Sequence, residues 1–195
     1  MKKIGIFGGT FNPPHTAHLI LAESVRYQMS LNKIIFIPSG NPPLKGTDVI
    51  PAEHRLNMAR IAFAGDSNFE VSDIEIKSPA LKSYTVNTLK KLNEIYEPKG
   101  IKLFLIIGMD NLLDLPEWKS PEKLFSYCEV LVINRPGYKI EDAPEKFSGK
   151  VTYVRVPSIE ISSTMIRKLV YEKKSVKYLV PEPVRKYIMQ NKLYI

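Results

Sequence analysis

Residues 3–18 read KIGIFGGTFNPPHTAH. Lys3 to Phe7 is an apolar run of strand length, and it stops at Gly8-Gly9, where the backbone can turn sharply and approach a ligand without a Cβ in the way. Pro13-Pro14 then fixes two φ angles and stiffens the chain just before His15 and His18, three residues apart at the start of a helical segment. Strand, stiff turn and helix in that order open an α/β unit. The turn has neither the G-x-G-x-x-G spacing of a dinucleotide fingerprint nor the Gly-Lys-Ser/Thr of a P-loop, so it meets its ligand in another way.

The same alternation continues along the chain. Strands are expected at Lys3–Phe7, Lys33–Pro38, Phe69–Ile76, Lys102–Ile107, Glu129–Asn134 and Val151–Val156. Runs such as Leu103-Phe104-Leu105-Ile106-Ile107 lack polar alternation, which fits strands covered on both faces. Between them, helical stripes appear at Leu21, Val25 and Met29, at Leu56, Ala59 and Phe63 behind Pro51, and at Val86, Leu89, Leu92 and Tyr96. Beyond Val156 only helices are expected, at Ser162–Glu172 and Pro181–Asn191. The reading is α/β: a Rossmann-like doubly wound parallel sheet with a C-terminal helical extension. It forms one domain over 1–195, with the α/β core at 1–157 and the helical part at 158–195. Segments 38–51 and 135–150 are expected as loops beside the crevice where such sheets bind ligands.

Composition narrows the partners. Lys and Arg number 28 against 20 Asp and Glu, giving a formal charge of +8. A basic surface favours anions, although scattered lysines also serve simply as a solvated face. There is no basic tail or aromatic-interleaved arginine stripe, which argues against a nucleic-acid surface. Cys128 is the one cysteine, so an internal disulfide is excluded. No apolar run approaches the ~20 residues of a membrane span, and Ile4–Phe7 is too short for a signal peptide. A cytoplasmic protein is expected, with no membrane partner.

Two helix starts carry the candidate chemistry. At the first, His15 and His18 join free backbone N–H groups and the positive end of a helix dipole, an arrangement suited to phosphate. His-x-x-His also suits zinc, but that needs a third ligand from His54, Cys128 or a carboxylate; simple capping and packing is the other alternative. At the second, Ile161-Ser162-Ser163-Thr164-Met165-Ile166-Arg167 places hydroxyls where a helix begins and a guanidinium one turn in. Serine caps are common, yet guanidinium grips two phosphate oxygens at once. Both helix starts facing one crevice would hold a triphosphate.

Gly8-Gly9-Thr10-Phe11-Asn12-Pro13-Pro14-His15-Thr16-Ala17-His18 resembles the signature of the nucleotidyltransferase superfamily, and Ile161–Arg167 resembles its second motif. Pro38-Ser39-Gly40-Asn41-Pro42-Pro43-Leu44-Lys45, Ser83–Leu89, Gly108-Met109-Asp110 with Trp118, and Asn134-Arg135-Pro136-Gly137 are similar to bacterial nicotinate mononucleotide adenylyltransferases. The resemblance implies transfer of the adenylyl group of ATP to nicotinate mononucleotide, giving deamido-NAD and pyrophosphate. Nicotinamide mononucleotide or phosphopantetheine is the alternative acceptor. It implies ATP contacts at Gly8, Gly9, Thr10, Phe11, His15, His18, Gly108, Asp110, Ile161, Ser162, Ser163 and Arg167, of which His15, His18 and Arg167 are catalytic. It places the acceptor at Lys45, Tyr84, Thr85, Trp118 and Arg135. Mg²⁺ is expected to arrive with ATP, without metal ligands of the protein's own, and a homo-oligomer is left open. Asn12, Ala17, Leu44, Asn87 and Met109 depart from the residues most frequent in the family. From local physics alone, Trp118 covers an apolar patch, Lys45 is a solvated loop lysine, and Ser83 caps the helix that follows it.

Overall fold

The computed structural model describes residues 1–41, 49–77 and 82–195. Six parallel strands form one sheet: β1 (Lys2–Gly9), β2 (Lys33–Pro38), β3 (Phe69–Val71), β4 (Ile101–Gly108), β5 (Glu129–Ile133) and β6 (Val151–Val154). Their order is β3-β2-β1-β4-β5-β6. The order reverses between β1 and β4, so the crevice beyond their carboxyl ends is the topological switch point where ligands bind in such sheets. Gly8-Gly9 ends one wall of this crevice and Gly108 the other.

Each central strand feeds both faces. Leu103, Leu105 and Ile107 of β4 join Ile4, Ile6, Ile35 and Ile37 under α3 (Thr85–Tyr96) and α4 (Met109–Leu113). Phe104 and Ile106 point the other way, into a layer with α1 (Thr16–Gln28) and α2 (Ala52–Phe63). That period of two inside an unbroken apolar run is what a strand buried on both faces requires. The expected C-terminal extension is present as α6 (Ser163–Tyr171) and α7 (Glu182–Gln190). Ile166, Val170, Val184 and Ile188 put it into the same core as α1 and α2.

Three expectations need correction. The third strand ends at Val71 rather than Ile76, because Ser72-Asp73 closes a turn: the amides of Ile76 and Lys77 both donate to Asp73 O, and Asp73 pairs with Arg60 and Lys77. The sixth strand stops at Val154, because the Asn134 side chain takes over the ladder. Its Oδ1 accepts from Val156 N (2.6 Å) and its Nδ2 donates to Val156 O (3.1 Å). Segment 135–150 is not all loop: α5 (Glu145–Ser148) starts after Pro144 and buries Phe147 in the core. Among the described residues, no helix is long and apolar enough to cross a membrane.

Candidate active site

The loop between β1 and α1 is shaped by its own aromatic ring. Phe11 is left-handed (φ 49°) and 2% exposed, wedged edge-on against Phe36, Phe63 and His18. A non-glycine residue in that region costs about 1 kcal/mol or more, so the surrounding rings over-determine it. Gly9 lets the Phe11 ring lie close, since a Cβ would lie 3.1 Å from it and the ring would have to give by a few tenths of an ångström.

His15 is the N-cap of α1 and His18 its third residue, with their rings stacked at 3.7 Å. The pair has the form of a capping box, but one arm alone is a hydrogen bond. His15 N–H donates to His18 Nδ1 (3.0 Å), whereas the His18 amide goes to His15 O and His15 Nδ1 is buried without a partner. This fixes the tautomer of His18. With Nδ1 an acceptor, the neutral ring carries its proton on Nε2 and offers a single donor. Burial, helped by the Arg135 charge, lowers His15 to about pKa 4. Burial, the neighbouring His15 and Arg135 hold His18 well below its ordinary value. An edge of His18 stays accessible at the surface, but Phe7, Phe11 and His15 enclose the rest of the ring. The two imidazoles are therefore neutral donors at pH 7, and positive charge comes from arginines.

The second motif docks directly on this loop. Ser163 Oγ donates to Pro13 O (2.8 Å), and Arg167 Nη1 donates to Asn12 O (3.1 Å). Ser162 caps α6, its Oγ accepting from Met165 N (3.1 Å). Both serine hydroxyls are thus engaged in the fold, and with Met165 N capped by Ser162 the amides of Ser163 and Thr164 are those left in the first turn of α6 without an intrahelical partner. Ile161 packs against the core beside them. Thr10 contributes its carbonyl to a buried guanidinium described below.

Across the crevice, Gly108 is the N-cap of α4, and Asp110 lies in its first turn. Asp110 is ion-paired with Arg135, which follows β5 and also lies close enough to both histidines to lower their basicity. Arg135, expected with the acceptor, therefore faces the same region as His15 and His18.

The expected acceptor group forms a separate cluster. Tyr84 is the N-cap of α3 and Thr85 its first residue. Trp118 and Tyr84 pack against the core on this side, with Lys119 Nζ 4.5 Å above the Tyr84 ring. Tyr84 N–H already donates to Lys82 O, so the amides of Thr85 and Val86 remain for a ligand. Ser83 is not the cap of α3; its Oγ accepts from the amides of Gly40 and Asn41 (2.9 and 3.0 Å). Lys45 lies outside the described residues.

Sequence reading missed the residue that ties the two clusters together. Arg55 is 1% exposed and donates to three carbonyls: Ile50 (3.1 Å), Thr10 (2.8 Å) and Gly40 (3.0 Å). Thr10 belongs to the histidine loop and Gly40 to the turn held by Ser83, so one guanidinium sets the distance between them. Gly40 itself sits so close to the backbone of Glu75 that a Cβ there would lie 2.3 Å from Glu75 O. No group of three or more His, Cys, Asp or Glu side chains suited to a metal occurs among the described residues.

Comparison with known proteins places these features. The cytidylyltransferase-like family model matches residues 6–169. A protein of Clostridium novyi named "Probable nicotinate-nucleotide adenylyltransferase" is 41% identical over 100% of both chains. One of the same name from Exiguobacterium sibiricum is 41% identical over 98% of each. The chain also superposes on Plasmodium falciparum nicotinic acid mononucleotide adenylyltransferase complexed with NaAD. That match has a TM-score of 0.81 at 23% identity and covers 100% of this chain and 98% of the other.

Proposed function

Since this chain belongs to the nicotinate-nucleotide adenylyltransferase family, we propose that it transfers the adenylyl group of ATP to nicotinate mononucleotide, forming deamido-NAD and pyrophosphate in NAD biosynthesis. The observation that carries the reading is the docking of α6 on the β1–α1 loop through Ser163 and Arg167, which sets two helix N-termini side by side at the sheet's switch point. ATP enters as its Mg²⁺ complex, its phosphates lying between His18 in the first turn of α1 and the amides of Ser163 and Thr164 in α6; in α1 the Thr16 amide is taken by Leu179 O and the His18 amide by His15 O.

The acceptor phosphate attacks the α-phosphorus of ATP, the bond to the β-phosphate breaks, and pyrophosphate leaves with the electron pair. A phosphate monoester is already ionised at neutral pH, so no general base is needed. The protein's work is orientation and stabilisation of charge that builds on the leaving group. His18, neutral with its proton on Nε2, donates to a phosphate oxygen and needs no change of protonation during the step. Arg167, fixed by the Asn12 carbonyl, supplies full positive charge; Arg135 adds to it from the opposite wall. The amides of Thr85 and Val86, beside Trp118, donate to the nicotinate carboxylate.

The test is pyrophosphate release with Mg-ATP, offering nicotinate mononucleotide and its amide in parallel. Preference for the acid is expected. Preference for the amide would overturn the acceptor, and silence with both would overturn the reaction.

A further inference from the structure

The loop that carries the histidines is held from a third direction, by Tyr194. Its hydroxyl donates to Asn12 Oδ1 (2.9 Å) across 182 positions of sequence. The Asn12 side chain is buried, and the backbone carbonyl of the same residue is the acceptor for Arg167. One residue thus takes Tyr194 on its side chain and Arg167 on its backbone, at the first turn of the loop leading to His15. Tyr194 is itself firmly placed. Lys192 and Tyr194 are both left-handed (φ 49° and 65°), flanking Leu193, which is 8% exposed and donates its amide to Ile188 O. Two non-glycine residues in that region persist only where packing dictates them. The ring lies against the core of α2, α6 and α7, and its hydroxyl is desolvated between the charges of Arg55 and Arg167, which raises the phenol far above its ordinary value while those charges partly offset the shift. It therefore stays protonated and remains a donor at any working pH.

We propose that Tyr194 is a positioning residue for adenylyl transfer: by holding the Asn12 side chain it fixes the carbonyl that aims the Arg167 guanidinium. The proposal rests on the adenylyl-transfer reading above. Tyr194 touches no substrate; it acts through Asn12 on Arg167. Its effect belongs to the chemical step, where Arg167 meets charge that develops only as pyrophosphate departs, more than to ground-state binding.

The test is Tyr194→Phe in the full chain, which keeps the ring and removes one donor. Steady-state kinetics with Mg-ATP and nicotinate mononucleotide should show kcat down about fivefold to tenfold, the loss of one hydrogen bond of ordinary strength. Both KM values should stay within about twofold, because the interaction weakened is one made in the transition state and not in the ground state. A merely structural role would lower Tm and the active fraction without such a split, so melting curves and active-site titration accompany the kinetics. The pathway is read by a double-mutant cycle: in an Arg167→Lys background the Tyr194→Phe penalty should shrink to about twofold or less. A kcat equal to that of the parent, or an undiminished penalty in the Arg167→Lys background, overturns the proposal. Silence of the unsubstituted enzyme with both acceptors would instead overturn adenylyl transfer itself, so the two failures are distinct.

Discussion

Replacing Arg55 by Met tests the claim that one buried guanidinium sets the spacing of the two halves of the site. Met retains the length and volume of the aliphatic stem, so little cavity forms. It abandons three carbonyls, of Ile50, Thr10 and Gly40. Each buried acceptor left unpaired costs about 1–3 kcal/mol. Against that stands relief of burying a cation: Arg55 makes no ion pair within 4 Å among the described residues, and burial lowers its pKa despite the nearby Glu75. Taking the lower half of the acceptor cost and discounting for that relief leaves about 3 kcal/mol of net destabilisation. For a chain of this size that corresponds to a Tm lower by about 6–12 °C. Scanning calorimetry supplies this number. Kinetics well below the transition supply the second: with Thr10 and Gly40 uncoupled, KM for both substrates should rise while the fold persists by circular dichroism. Arg55→Lys should not rescue, because a compact ammonium does not present a planar fork to three carbonyls at once. A variant that melts within 2 °C of the parent, roughly the effect of a surface change, and turns over normally would refute the reasoning.

His18→Ala should lower turnover by about a hundredfold, the cost of one donor to developing charge, and stability by about 1 kcal/mol, since His18 also accepts from the His15 amide; near-normal turnover removes His18 from the mechanism. The histidines also predict a pH dependence of stability. His15 has a folded pKa of about 4 against 6.5 unfolded, so between those values the unfolded chain binds more protons. The native state is then fully favoured above pH 6.5 and loses about 3 kcal/mol as pH falls towards 4. Urea titrations should show this slope in the parent and a flatter one in His15→Gln; parallel slopes would refute a neutral, buried His15. Lys119 stands over the Tyr84 ring beside the amides assigned to the nicotinate carboxylate. Lys119→Met should therefore lower kcat/KM for the acid about threefold at low salt and leave the amide unchanged. An equal loss with both acceptors would place Lys119 outside acid recognition.

What sequence could and could not disclose follows from where each signal resides. The sheet was legible because β4 and β5 are buried on both faces and carry their burial in composition, and strand–helix alternation then leaves few topologies. The end of β3 was not, because Ser72-Asp73 offers the backbone a local turn that competes with the ladder, and apolar content alone continues through it to Ile76. In the site, Gly9, the prolines and the two histidines were legible because they act on their own backbone neighbourhood. Their protonation was not: burial and Arg135 set it, and neither is a property of positions 15 and 18 in the chain. Arg55 escaped for a related reason. Leu56, Ala59 and Phe63 mark the buried stripe of α2, and an arginine next to that stripe reads as solvated. Its partners are backbone carbonyls, which every residue has, so no acidic residue elsewhere in the sequence announces the contact. The same holds for Tyr194, whose partner lies at the far end of the chain. The residues proposed to bind phosphate thus leave a local signature, while those proposed to aim them do not. In this fold the aiming is done by long-range contacts to main-chain oxygen and to one buried amide side chain, and substitutions there should separate correct geometry from mere presence of the motif.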